Sequence, residues 1–268
     1  MMSLIKNNDD NNFYPVSIPE GNWNCDYLFS THRGCSFDCV YCSSKRLNKR
    51  FKSMGDPAVP RRLKGEWLFD KIEETFLLRD LPPGGVFINP YCDTFDLPDE
   101  DINFILDNCN RSNVIERPTT CIFQTKNPQR YFEYLYLILQ GSWLGTTIET
   151  TYTTNEYRDM NFSKAPSPYD RYQAMQKIVK SKYQGKIFIT IEPAMEILIP
   201  KMIDWMENIQ PDLIFIGCDS GKNNLPEPTR DELIELIRRL KQITTVHVKS
   251  NCKRILGDWL YSCIDFKG

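Results

Sequence analysis

The chain has 268 residues, 41% of them apolar, with 33 basic and 35 acidic side chains and a net charge of −2. Those figures exclude a disordered chain, a collagen-like rod and a disulfide-bound mini-protein. They also exclude a polycation that coats nucleic acid through its overall charge, so any such binding must be local.

From the N-terminus, residues 1–22 read as an arm rich in Asn and Asp, with no apolar stretch of the kind that leads a secreted chain. No later run approaches the about 18 apolar residues of a membrane span, so the expectation is a soluble, cytoplasmic protein without membrane contact. In such a reducing compartment the ten cysteines point to metal binding, catalysis or burial rather than to disulfides.

Residues 23–268 read as one domain. Short β-branched or aromatic runs predict strands over 26–31, 86–91, 121–125, 143–149, 186–192, 212–218 and 244–249, most of them bounded by Gly, Pro or Asn. Between them lie helical patterns: Trp67, Leu68, Ile72 and Phe76 share one spacing, and Leu233, Ile234, Leu236, Ile237 and Leu240 follow a Thr229-x-x-Glu232 capping box. This alternation predicts an α/β fold, a partial (β/α) TIM-like barrel of six to seven parallel strands, with the site at the carboxyl ends of the strands.

Directly after the first predicted strand comes Arg33-Gly34-Cys35-Ser36-Phe37-Asp38-Cys39-Val40-Tyr41-Cys42, a Cys-x3-Cys-x2-Cys loop. A four-iron cluster fully held by protein takes four cysteines, so three leave one iron open. The competing readings are a structural zinc site or three buried thiols. Zinc wants a fourth ligand, and the chain offers only His32 and His247 and no second Cys-x2-Cys.

The motif resembles the signature of the radical S-adenosylmethionine superfamily, Cys-x3-Cys-x-aromatic-Cys, with Tyr41 as the aromatic. The resemblance implies a [4Fe-4S] cluster on Cys35, Cys39 and Cys42 whose open iron chelates S-adenosylmethionine. It implies reductive cleavage to methionine and a 5'-deoxyadenosyl radical that abstracts hydrogen from substrate, with electrons from an external donor such as flavodoxin or ferredoxin. Trp23-Asn24, Cys92-Asp93, Gln124-Thr125-Lys126-Asn127-Pro128, Leu144-Gly145-Thr146-Thr147-Ile148-Glu149, Ile191-Glu192-Pro193 and Gly217-Cys218-Asp219-Ser220-Gly221 look like a phage and mobile-element branch similar to spore photoproduct lyase.

The same resemblance suggests roles at the other strand ends. Where the family usually carries Gly-Gly-Glu at the methionine amino group, this chain has Asn89-Pro90-Tyr91, and Asn89 is the candidate. Glu149 stands where a side chain often meets the ribose, or is a solvated strand-end carboxylate. Glu192 is a ribose or substrate contact, or half of a salt bridge. Gly217 opens a tight turn expected near the adenine. Lys249 meets an anionic substrate, or closes the barrel with a carboxylate such as Glu192. Cys92 stands where the lyase has its hydrogen donor, or is a small buried hydrophobe. Ser43 departs from the lyases, which often have a second tyrosine there.

Residues 43–65 hold eight basic side chains, among them Lys45, Arg46, Lys49 and Arg50, against Asp56 alone, a net +7. Beside the cysteine loop this run is either a phosphate-binding patch or a solvated face. The sequence therefore leads to an enzyme acting on DNA, RNA or a nucleotide, in modification or repair. Alternatives are action on a small metabolite or peptide, and a non-catalytic metal-cluster protein. Cys25, Cys109, Cys121, Cys218, Cys252 and Cys263 have no assigned chemistry.

Overall fold

The structure is a computed structural model that describes residues 13–15, 27–45, 58–62, 84–112 and 119–265. Among the described residues eight strands form one sheet: β1 (Phe13–Pro15), β2 (Tyr27–Phe29), β5 (Gly84–Ile88), β6 (Thr119–Thr125), β7 (Trp143–Thr147), β8 (Lys186–Ile191), β9 (Leu213–Ile216) and β10 (Thr245–Val248). Their order across the sheet follows the chain, and β2 and β5–β10 are parallel, so each crossover adds its strand on the same side. The result is the expected half-open α/β barrel, with seven parallel strands. Phe13–Pro15, inside the expected arm, instead pairs antiparallel with β2 at one edge.

All seven predicted strands exist, but most stop short of their predicted ends. The ladder ends at Ile88, Thr147, Ile191, Ile216 and Val248. Asn89 takes a left-handed φ of 53°, which no continuing strand tolerates. Glu192 precedes a proline, which has no N–H for the ladder. A further two-residue ladder, β3 (His32–Arg33) with β4 (Arg61–Arg62), was not expected; it returns the far end of the basic run to the start of the cysteine loop.

Alternation along the strands sorts the residues into two faces. Ile187, Ile189 and Ile191 of β8, with Ile214 and Ile216 of β9 and Val246 and Val248 of β10, face the outer helices and form the main core. The helices are α1 (Asp99–Ser112), α2 (Gln129–Tyr134), α3 (Thr154–Asp159), α4 (Pro168–Lys180), α5 (Ile199–Ile209), α6 (Arg230–Leu240), α7 (Lys253–Leu256) and α8 (Asp258–Asp265). The Thr229–Glu232 capping box starts α6 as expected, and Leu233, Leu236, Ile237 and Leu240 are its buried stripe. The helical pattern at Trp67, Leu68, Ile72 and Phe76 lies outside the described residues. Among the described residues no helix is long and apolar enough to cross a membrane.

The inner face is layered. Ile122, Phe188 and Phe215, with Phe87, Trp143 and Leu213 against them, plug the barrel toward the strand starts. Gly145 makes this possible: a Cβ there would lie 2.0 Å from the Phe188 ring. Above the plug, the Gln124 amide donates to Thr147 Oγ1 at 3.1 Å and Thr190 Oγ1 at 2.8 Å. This polar layer is the floor of a cavity at the strand ends.

Candidate functional site

The cavity has a volume of about 400 Å³. Cys35, Cys39, Tyr41 and Cys42 from the loop after β3 form one side, and Glu192, Cys218 and Lys249 form another. Asn89, Cys92, Asp93 and Lys126 lie between.

The cysteine loop turns through two left-handed residues, Gly34 (φ 82°) and Asp38 (φ 50°). Asp38 is held there by Lys45, whose Nζ also donates to the Asp38 carbonyl at 2.9 Å, and by Lys164 at 3.4 Å. The bond from Lys45 keeps the Asp38 carboxyl below its ordinary value. On one side Ser36 donates from its N–H (2.7 Å) and hydroxyl (2.6 Å) to Asp96. On the other, Val40 N–H meets the Phe162 carbonyl at 2.9 Å, Lys164 N–H meets that of Phe37 at 2.7 Å, and Ser163 Oγ lies 3.0 Å from Cys39 Sγ. The loop is therefore clamped between the segment after β5 and the α3–α4 connection.

Among the described residues no three His, Cys, Asp or Glu side chains close around a single metal ion. An iron–sulfur cube asks for a wider arrangement, because each thiolate binds a different iron. Three thiols of one loop opening onto one cavity fit that donor set. Burial, then the charges of Asp93 and Asp96, push the Cys35 thiol up; iron bound there would reverse this, since a coordinating thiol is deprotonated. The zinc alternative gains no histidine. His32 is turned to Thr31 Oγ1 at 2.9 Å and Asp101 at 3.4 Å, and His247 stacks on Phe215 with centroids 5.6 Å apart.

Asn89 lines the cavity, but its carboxamide is occupied. Its oxygen accepts from Thr31 N–H at 2.7 Å and Thr31 Oγ1 at 3.1 Å, and its amide donates to Thr94 Oγ1 at 3.1 Å. It clasps the β2 loop to the end of β5, so the expected contact with a methionine amino group finds no free side-chain oxygen. Cys92 follows, facing the cavity, its thiol pushed up by burial and then by Asp93. Asp93 accepts from Phe95 N–H (3.0 Å), Thr125 Oγ1 (2.6 Å) and Lys126 N–H (2.7 Å). Burial nevertheless lifts its carboxyl to about 6.

Glu149 departs furthest from expectation. Neither solvated nor at the cavity wall, it is fully buried. Arg171, on α4, bonds it at 2.6 and 3.2 Å, Tyr157 donates at 2.8 Å, Lys126 Nζ lies at 3.2 Å, and the Tyr41 hydroxyl donates to it. Burial alone would raise its carboxyl, but Arg171 and then Lys126 outweigh burial and hold it well below the usual carboxylate range. The ribose contact is thus corrected to an anchor: Glu149 grips Tyr41, the residue before Cys42, from behind the cavity. Lys126 is the residue that strand-end reasoning missed. Its Nζ bonds the Tyr41 hydroxyl at 2.7 Å and lies 4.6 Å from that ring's centroid. Its position directly after β6 was the available signal.

On the other side, Glu192 and Lys249 pair at 2.5 Å, and Asn251 donates to Glu192 Oε1 at 3.0 Å. Lys249 is thus paired with Glu192, as in the second of its two readings, and also lines the cavity. Gly217 gives room to this pair rather than lining the cavity: a Cβ on it would meet Glu192 Oε1 at 2.5 Å. The turn beyond is organised by Asp219, which accepts from Gly221 N–H at 2.9 Å, Asn223 N–H at 2.5 Å and the Asn223 amide at 2.6 Å. Of the basic candidates, Lys45 is engaged by Asp38, while Arg46, Lys49 and Arg50 lie outside the described residues, as does Cys25.

No protein-family model and no curated protein matches the sequence. Solved structures do match. Spore photoproduct lyase complexed with dinucleoside spore photoproduct is similar with a TM-score of 0.60 over 90% of this chain and 80% of that one, at 13% identity. A variant of the lyase with bound AdoMet and the same dinucleoside gives 0.59 over 87% and 78%, again at 13% identity. Streptococcus suis SuiB bound to precursor peptide SuiA gives 0.53 over 84% of this chain and 49% of SuiB, at 11% identity.

Proposed function

We propose that this chain, which has the fold of radical S-adenosylmethionine enzymes, is itself such an enzyme and acts on a nucleic acid or nucleotide. The observation that carries the reading is the opening of Cys35, Cys39 and Cys42 together onto one cavity at the strand ends of a parallel half-barrel. A reduced [4Fe-4S] cluster held by these thiols would supply the one-electron reduction that cleaves S-adenosylmethionine.

The residues of the chain supply positioning. Cys35, Cys39 and Cys42 would hold the cluster, and the clamps from Asp96 and from 162–165 keep their loop in place. Glu149 orients Tyr41 at the third cysteine. Arg171 supplies the main counter-charge of Glu149, and Lys126, bonded to both Glu149 and Tyr41, brings an ammonium to the cavity wall. The aromatic plug below Gln124 excludes water from the strand-start side. Cys92 is a hydrogen-atom donor in this reading: such a donor must be the neutral S–H, and burial keeps its thiol in that form.

The nucleic-acid reading is supported by the basic run, whose Arg61–Arg62 end pairs with His32–Arg33 beside the cluster loop, and by the dinucleoside held in the lyase structures. Action on a peptide has its own support in the likeness to SuiB bound to a precursor peptide. Electrons come from an external one-electron donor of the flavodoxin or ferredoxin kind.

Anaerobic reconstitution tests the enzyme: a four-iron absorption band and 5'-deoxyadenosine on reduction with S-adenosylmethionine are expected. Absence of the band removes the cluster, and a band without 5'-deoxyadenosine leaves a non-catalytic cluster protein. For the substrate, DNA and RNA binding is measured against salt. Neutralising Lys45, Arg46, Lys49 and Arg50 is expected to flatten the slope by up to about 3–4 units, and an unchanged slope rejects the patch.

A further inference from the structure

Two of the cysteines without assigned chemistry meet just behind the cavity wall, to which Cys218 belongs. Cys218 follows β9 and lines the cavity; Cys252 ends the 3-10 turn Ser250–Cys252 after β10. Their sulfur atoms are 3.3 Å apart, and both residues are buried. Asn251 fixes the approach, accepting from Cys218 N–H at 3.1 Å and donating to its carbonyl at 2.9 Å.

We propose that Cys218 and Cys252 are a redox-active dithiol that closes reversibly to a disulfide, with the cavity as the route by which a small oxidant such as hydrogen peroxide reaches it. A disulfide needs sulfur atoms about 2.05 Å apart, so closure is a short movement of groups already in contact. The division of labour follows from position. Cys252 lies behind Cys218, with the Ile216 carbonyl 3.6 Å from its sulfur, and the bond to Cys218 together with burial pushes its thiol up. Cys218, at the cavity, is the nucleophile.

In the first step Cys218 gives up its proton and its sulfur attacks one peroxide oxygen. The O–O bond breaks, the leaving hydroxide takes the proton to become water, and Cys218 is a sulfenic acid. In the second step the Cys252 sulfur attacks that of Cys218. The S–O bond breaks, and the hydroxide leaves with the Cys252 proton as a second water. Two thiols lose two electrons, and one peroxide is reduced to two waters. A dithiol reductant reverses the bond by exchange.

Closure has a consequence for the site. The Asn251 amide that bonds Cys218 also bonds Glu192 Oε1 at 3.0 Å. Drawing the end of β9 onto the 250–252 turn therefore moves Glu192, which lines the cavity. The pair Cys109 and Cys121 is an internal control. Those thiols also interact, but they are buried in the main core and do not line the cavity.

The test uses the full chain, reduced and anaerobic, treated with one equivalent of hydrogen peroxide and digested with trypsin without reductant. Cleavage gives peptides 202–222, with Cys218, and 250–253, with Cys252. The expected product is these two joined, lighter than their sum by two hydrogens and separated by dithiothreitol, at a yield at least about tenfold above any Cys109–Cys121 link. Joined peptides in equal yield at both pairs would overturn the role of the cavity. Separate peptides while the exposed Cys263 is oxidised would overturn the pair. In the Cys252→Ser variant, dimedone is expected to trap Cys218 as a sulfenic acid, and an unlabelled Cys218 there counts against it as the nucleophile. The wild-type map needs no variant to fold.

Discussion

Glu149 and Glu192 end neighbouring regions of one sheet, just beyond β7 and β8, and the barrel treats them in opposite ways. The Glu149 side chain is 0% exposed and bonded to the 0% exposed Arg171, whereas those of Glu192 and Lys249 are 26% and 24% exposed. The first carboxylate faces α4 and the back of the cysteine loop; the second faces the cavity. A strand-end carboxylate thus anchors when a helix brings it a buried cation, and remains at the site when its cation comes from the next strands.

The largest effect expected from this contrast is in Arg171→Met. It leaves Glu149 buried without its main partner and should cost about 3–5 kcal/mol in urea unfolding. A loss below about 1 kcal/mol would place Glu149 with the solvent-reached pairs. The same bond is visible in pH. The folded-state value of Glu149 is depressed by Arg171 and Lys126 against the effect of burial. Its contribution is therefore fully present above the unfolded value of about 4.3 and lost as the pH falls through the folded value. Glu149→Gln should flatten that acid limb in stability measured against pH.

Tyr41→Phe keeps the ring and removes the hydroxyl given to Glu149. We expect a loss of about 2 kcal/mol, together with a changed absorption spectrum after iron–sulfur reconstitution if Cys42 is a cluster ligand as proposed. A stability loss with an unaltered spectrum would confine Glu149 to folding. Gly217→Ala should cost about 1–3 kcal/mol, because its Cβ would meet the Glu192 side chain, which Lys249 and Asn251 hold in place. Combined with Glu192→Ala, the two losses should be less than additive. The smallest effect belongs to Glu192→Gln, under about 1 kcal/mol, with its consequence in S-adenosylmethionine affinity measured by calorimetry. If it instead destabilises as much as Arg171→Met, the two regions are alike and the contrast fails.

Much of this was legible in the residues themselves. The apolar β-branched runs located all seven parallel strands, and Cys-x3-Cys-x2-Cys located the loop that opens onto the cavity. The strand ends were less legible. Asn89 looks like a ligand-facing amide, yet its left-handed turn aims it back at Thr31 and Thr94. Lys126 stands in the Gln124–Pro128 block without an assigned role, because its place after a strand does not show its partner; it matters through Tyr41, 85 positions away in the chain.

By itself the sequence determined what depends on short-range pattern: the alternation that makes a parallel barrel, the spacing of three thiols on one loop, and the capping box of α6. Only the tertiary structure decided which polar side chain is a wall and which is an anchor. That depends on partners brought from afar, Arg171 to Glu149 across 22 positions and Lys249 to Glu192 across 57. The physical reason is that a carboxylate's role is set by its desolvation and by the cation that offsets it, and in a barrel both are fixed by packing between elements.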